Sequence, residues 1–195
     1  MIYPEFLKES GTIGVTAPSD GSYDNLDIQK IERATNQLNI QGINIIETPN
    51  CRTANILRSS GANIRAQELE SLFRNDKVDV IICLSGGEYL VEMLSYLNFN
   101  EIRKHPKWLQ GFSDPTGLTY TITTNLDIAT IYSYNFRKLA MRPLHKSIET
   151  NLEILKGNIV KQESFDMFEK NRPEKELEGG VFSLDSKVEW INLNR

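Results

Sequence analysis

The stretch Val78-Asp79-Val80-Ile81-Ile82-Cys83-Leu84-Ser85-Gly86-Gly87 decides the fold. Between positions 78 and 84 only Asp79 is polar, and Val and Ile dominate, so an extended segment here must be covered on both faces. That is the pattern of a central strand in a parallel sheet, closed by a tight Ser-Gly-Gly turn. Upstream, Thr12-Ile13-Gly14-Val15-Thr16-Ala17 reads as a first strand that stops at Pro18, with Ser19, Asp20, Gly21 and Ser22 as a loop. Asn25 can cap a helix whose apolar positions, Leu26, Ile28, Ile31, Ala34, Leu38 and Ile40, recur near helical spacing until Gly42. A second strand spans 43–48, and a helix over 62–74 turns Ile64, Leu69, Leu72 and Phe73 inward. Downstream, the pattern predicts a helix over 88–97, directly after the glycine turn, and a strand over 107–112. It then predicts a helix with Pro115 in its first turn, a last strand over 128–134, and a closing helix over 145–156 stopped by Gly157. Strands alternating with helices predict an α/β fold. The sheet is expected to be open, mostly parallel and flanked by helices, a flavodoxin-like or class I glutamine amidotransferase-like three-layer sandwich.

Residues 1–160 carry this pattern and read as one α/β domain. Residues 161–195 are rich in charge, hold Pro173 and Gly179-Gly180, and have too few apolar positions for a core of their own. They read as a linker into a C-terminal domain absent from this chain. The 195 residues carry 22 Lys and Arg against 26 Asp and Glu, a net charge of −4. An acidic chain without a clustered basic surface argues against nucleic acid as a partner. The longest apolar run is far too short to span a bilayer, so no membrane role is expected. Residues 1–10 lack the basic flank and apolar stretch of a signal peptide. With only two cysteines, Cys51 and Cys83, the reading is a cytoplasmic protein in a reducing compartment.

In an open parallel sheet, ligands bind beyond the carboxyl ends of the strands. Ala17-Pro18-Ser19-Asp20, Ser85-Gly86-Gly87 and Gly111-Phe112-Ser113-Asp114 all follow strands and would share one crevice. The Gly86-Gly87 pair lets a ligand approach the backbone and makes Ser85 and Gly86 substrate-binding candidates. It also reads as a turn chosen only for its backbone angles. Ser113 sits on a sharp strand-to-helix turn, the location of a nucleophile, although the residue pattern by itself favours a helix cap, where Ser and Asp are preferred. The N–H groups of Asp114 and Gly87 could together hold a tetrahedral oxyanion. A base is harder to find. His105 precedes Pro106 before the strand leading to Ser113, hence near the opposite sheet edge, and His145 reads as a cap or a solvated residue. Cys83 reads as a core residue, and no cluster has metal-ligand spacing. The residues thus spell half of a hydrolase site, without a general base.

At these residues the chain resembles the LD-carboxypeptidases (murein tetrapeptide carboxypeptidases), a family that includes the microcin C self-immunity proteins. Gly14-Val15-Thr16-Ala17-Pro18-Ser19 is similar to the family's opening strand and loop. Leu84-Ser85-Gly86-Gly87, Met93-Leu94, Leu97, Phe99, Pro106-Lys107 and Gly111-Phe112-Ser113-Asp114-Pro115-Thr116-Gly117-Leu118 are similar to its central signature. The resemblance covers about residues 10–160 and continues weakly to Trp190. It implies that Ser113 is the acyl-forming nucleophile of a serine peptidase. Gly87 and Asp114 would form the backbone oxyanion hole, and Gly86 would shape the turn. The implied substrate is a peptide ending in a D-amino acid, such as a murein tetrapeptide, or a related conjugate. No cofactor or metal is implied, and a tendency to form homodimers is. In the family a glutamate and a histidine in the C-terminal domain complete the triad, and neither is assigned here. The segment 188–195 resembles the family's crossover into that domain, and Ser133 stands where a glycine is usual. This reading makes the chain alone nearly inactive. The other readings are a catalytically dead module that holds a peptide or an anion, and an inactive fragment.

Overall fold

The first apolar run, Thr12–Thr16, is strand β1 of a computed structural model that describes residues 1–171, 173 and 178–193. β1 pairs in parallel with β2 (Asn44–Glu47) on one side and with β3 (Val80–Cys83) on the other. β4 (Trp108–Gly111) adds to β3, and β5 (Ile131–Tyr132) to β4, giving the parallel order β2-β1-β3-β4-β5. The order reverses between β1 and β3, so the loops leaving their carboxyl ends diverge and open a crevice. All four residues of β3 are buried, as expected for the centre of the sheet. Alternation along the strand sends Val80 and Ile82 to one core and Ile81 and Cys83 to the other.

Among the described residues, five α-helices cover the two faces. α1 (Asn25–Ile40) and α5 (Lys146–Leu155) bury Ile31, Ala34, Leu38, Ile148, Leu152 and Leu155 against Ile13, Val15, Val80 and Ile82. α2 (Ala62–Arg74), α3 (Phe99–Lys104) and α4 (Thr116–Leu126) bury Leu69, Phe73, Ile102, Leu118 and Ile122 on the other face, against Ile81, Cys83 and Leu109. This is the expected three-layer sandwich. Gln110 of β4 and Asn151 of α5 exchange two side-chain hydrogen bonds of 2.9 Å inside the first core, satisfying two amides that burial would otherwise penalise.

Local corrections have physical reasons. Asp24 rather than Asn25 caps α1, its carboxylate accepting the Asp27 N–H at 2.8 Å. Ile64 is exposed, and its neighbour Arg65 is buried in the α2 stripe. Residues 88–97 form no α-helix; two 3₁₀ turns, Leu90–Tyr96, begin three residues after Gly87. The last strand is shorter than expected because Ile2 takes the backbone groups just before it, with the Ile2 N–H donating to Asp127 O and the Ala129 N–H to Ile2 O. In the segment read as a linker, β6 (Met167–Phe168) and β7 (Ser186–Lys187) form a small antiparallel ribbon. Residues 172, 174–177, 194 and 195 of that segment lie outside the described residues.

Candidate active site

β4 ends at Gly111, and two residues later the exposed Ser113 has φ of +67°. A serine pays for that left-handed backbone with steric strain, and strain of this kind concentrates at functional turns. Ser113 does not cap α4: its hydroxyl makes no hydrogen bond among the described residues, and its carbonyl accepts the Thr116 N–H at 3.0 Å. The preceding residue is held firmly. The buried Asn135 carboxamide accepts the Phe112 N–H and donates to Phe112 O, both at 3.1 Å. Asn50 does the same to Ala17 at the end of β1, again with two 3.1 Å bonds.

Gly86 lies directly against this turn. A Cβ built on it would stand 3.0 Å from Ser113 Oγ and 3.9 Å from Asp114 N, so any larger residue would press on the Ser113 side chain. Gly87 is pressed against the first loop. A Cβ there would collide with Ser19 Oγ and stand 3.0 Å from Asp20 N. The Asp20 N–H donates to Gly86 O at 3.3 Å. Ser85 is buried, and its hydroxyl donates to Asp20 O at 2.8 Å, so it joins the loops from behind the crevice.

The Asp114 side chain draws the three turns together. Its Oδ2 accepts a short hydrogen bond from the hydroxyl of the wholly buried Ser19 and another, of 2.9 Å, from the Leu90 N–H. The N–H that would have opened a helix after the glycine turn is therefore taken by a carboxylate. One layer further out, the fully buried Arg65 donates to Pro18 O at 2.9 Å, Tyr89 O at 3.0 Å and Glu92 at 2.8 Å. Arg58 also donates to Glu92. The Arg58 hydrogen bonds, and after them those of Arg65, hold the Glu92 carboxyl down at about 2, while burial lowers the Arg65 guanidinium from its ordinary value. Burial also raises the Asp20 carboxyl.

Ser113, Asp114, Gly86 and Gly87 thus come together at one sheet edge, with Ser85 behind them. The histidines do not join them. His105 ends α3, on the amino side of β4. His145 caps α5, its Nδ1 accepting the Ser147 N–H at 3.3 Å, and its ring packs between Phe165 and Phe182. Among the described residues, no hydrogen bond links Ser113 Oγ to a histidine or a carboxylate. Cys83 is wholly buried, and burial pushes its thiol pKa up. No three His, Cys, Asp or Glu side chains among the described residues converge as a metal site. No helix among them is long and apolar enough to cross a membrane. Sequence reasoning missed Arg65, Asn50, Asn135 and the role of the Asp114 side chain. Arg65 left a signal, since it lies four residues before Leu69 and eight before Phe73 on the apolar stripe.

Such a site, an exposed serine on a strained strand-to-helix turn of a doubly wound parallel sheet, defines a class of α/β proteins with hydrolase-like geometry. A family model described as the LD-carboxypeptidase N-terminal domain matches residues 13–133, and the chain belongs to that family. It is 29% identical over 151 residues to a putative carboxypeptidase of Treponema pallidum, covering 77% of this chain and 44% of that protein. It is 28% identical over 129 residues to a probable murein peptide carboxypeptidase of Bacillus subtilis, covering 66% and 39%. The crystal structure of a MccF-like protein from Bacillus anthracis superimposes with a TM-score of 0.71 at 26% identity, over 80% of this chain and 47% of that one. The chain spans less than half the length of each of these relatives.

Proposed function

We propose that this chain carries the nucleophile half of an LD-carboxypeptidase-like serine peptidase, which hydrolyses the amide bond to a terminal D-amino acid of a murein peptide or of a related peptide conjugate. The observation that carries the reading is Ser113 itself, in a strained turn against Gly86, its hydroxyl without a hydrogen bond among the described residues. Ser113 Oγ attacks the scissile carbonyl, and the N–H groups of Gly87 and Asp114 take the oxyanion. Collapse expels the amine of the D-amino acid and leaves an acyl group on Ser113, which water then removes. The proton that leaves Ser113 needs an acceptor within hydrogen-bond reach. With both histidines held elsewhere, that base comes from outside the described residues, and the murein relative named above supports the substrate class. Removal of the base costs a serine protease about a millionfold in rate, so this chain by itself turns over peptide only at a residual rate.

An activated ester tests the reading, because its good leaving group lessens the need for a base. Incubated with p-nitrophenyl acetate, the chain should acquire one acetyl group, found by mass spectrometry on the peptide containing Ser113 and absent in Ser113→Ala. An acetyl group elsewhere, or none, overturns the nucleophile assignment. That no base faces Ser113 among the described residues also favours a second reading, a module that binds peptide without cleaving it. Tetrapeptide affinity that survives in Ser113→Ala, without acylation of the wild-type chain, would establish that instead.

A further inference from the structure

The two N–H groups of the oxyanion pocket come from separate loops. Gly87 follows β3 and Asp114 follows β4, so no local backbone geometry sets their spacing. Oxyanion donors act only when aimed at one point about 3 Å away, and a displacement of about 1 Å can cost a hundredfold. Something must hold the loops in register. Asp114 Oδ2 accepts from Leu90 N–H, on the loop of Gly87, and from Ser19 Oγ, on the loop after β1. Ser19 in turn fills the space where a Gly87 side chain would go, and the next residue, Asp20, donates its N–H to Gly86 O. One carboxylate oxygen therefore ties all three turns. No other side chain among the described residues bonds to both the β1 loop and the β3 loop while itself lying on the Ser113 turn.

We infer that the side chains of Asp114 and Ser19 are positioning residues, whose shared hydrogen bond sets the separation of the Gly87 and Asp114 N–H groups. This rests on the serine reading proposed above. Asp114 then acts twice, its N–H on the oxyanion and its carboxylate on the loop that supplies the other donor. Ser19 touches no substrate, because it is wholly buried.

Phenylboronic acid tests this without turnover, since it becomes tetrahedral when a serine oxygen adds to boron and its oxygens then sit where the oxyanion would. ¹¹B NMR distinguishes the tetrahedral adduct from the trigonal acid. The wild-type chain should give the tetrahedral signal and Ser113→Ala should not. Ser19→Ala and Asp114→Asn should each weaken adduct formation about tenfold or more, and the double variant no further than the worse single one. Affinity for a tetrapeptide, whose carbonyl is planar, should stay within about threefold, a split that general loosening of the fold would not produce. Adduct formation unchanged in both variants overturns the inference. So does a parallel loss of both affinities. If Asp114→Asn does not fold, Ser19→Ala decides alone, as it removes a single hydroxyl. A tetrahedral signal that persists in Ser113→Ala, or is missing from the wild type, sinks the serine reading instead. In that case amide exchange still tests the tie: the Asp20 N–H, which bonds to Gly86 and not to Asp114, should exchange about tenfold faster in Ser19→Ala, and an unchanged rate overturns the positioning role.

Discussion

Asn135 holds Phe112 by both of its backbone groups, with one 3.1 Å hydrogen bond in each direction. The carboxamide thus imitates one rung of a sheet ladder at a point where β5 has already ended. Replacing it by Leu keeps much of the volume and strips both partners. A buried group left unpaired costs about 1–3 kcal/mol, so Asn135→Leu should lose about 2–4 kcal/mol in urea unfolding. Ester acylation of Ser113 should fall with it, since Phe112 is the residue that delivers Ser113. Asn50→Leu, acting on Ala17, should cost a similar amount and leave acylation less affected.

Left-handed backbone at Ser113 makes the opposite prediction for stability. A non-glycine residue in that region costs about 1–2 kcal/mol. Ser113→Gly should therefore be more stable than Ser113→Ala by about 1 kcal/mol in the same denaturation experiment, although neither can be acylated. Equal stability would mean that the turn is unstrained in solution.

Glu92 should give the acid unfolding profile a recognisable limb. Its folded pKa, about 2, lies below its ordinary value of 4.5. A depressed carboxylate contributes stability that is fully present above the ordinary value and is lost as the pH falls through the folded one. Wild-type Tm should thus fall between pH 4.5 and 2, less steeply at high salt because the carboxylate is partly exposed. Glu92→Gln should flatten that limb. Arg65→Ala, which also strands the carbonyls of Pro18 and Tyr89, should cost about 3 kcal/mol, and more than Arg58→Ala.

Gly87→Ala forces a methyl group onto Ser19 Oγ and against the Asp20 backbone. Overpacking of this kind costs about 1–3 kcal/mol. Combining it with Ser19→Gly should recover part of the loss in Tm and none of the boronate adduct.

The sheet was legible in the sequence because parallel strands buried on both faces write themselves as apolar runs; residues 78–84 could be little else. The turns after β1, β3 and β4 follow from topology alone, since parallel strands send all three, and with them Ser113, Gly86 and Gly87, to one edge of the sheet. What stayed hidden is long-range pairing of polar side chains. Nothing near Asn50 or Asn135 in the chain announces that each clamps a strand end 33 or 23 residues away. The apolar spacing of Leu90, Met93 and Leu97 suits a helix, and the stretch is helical in the tighter 3₁₀ form; the Asp114 carboxylate that accepts its first N–H lies 24 residues on, as invisible in the sequence as the two carboxamides.

Apolarity on both faces leaves β3 without an address. Slipping it by one residue would exchange Val80 and Ile82 for Ile81 and Cys83 with little change in greasiness, whereas a half-polar strand would be punished at every position. The indexing mark sits just before β3, where the Asp79 carboxylate accepts the Thr12 N–H at 2.7 Å. A shift of one place would swing that carboxylate to the opposite side of the sheet. The least hydrophobic residue of the decisive stretch is thus the one that tells it where to stop, and with it where Gly86 and Gly87 come to rest.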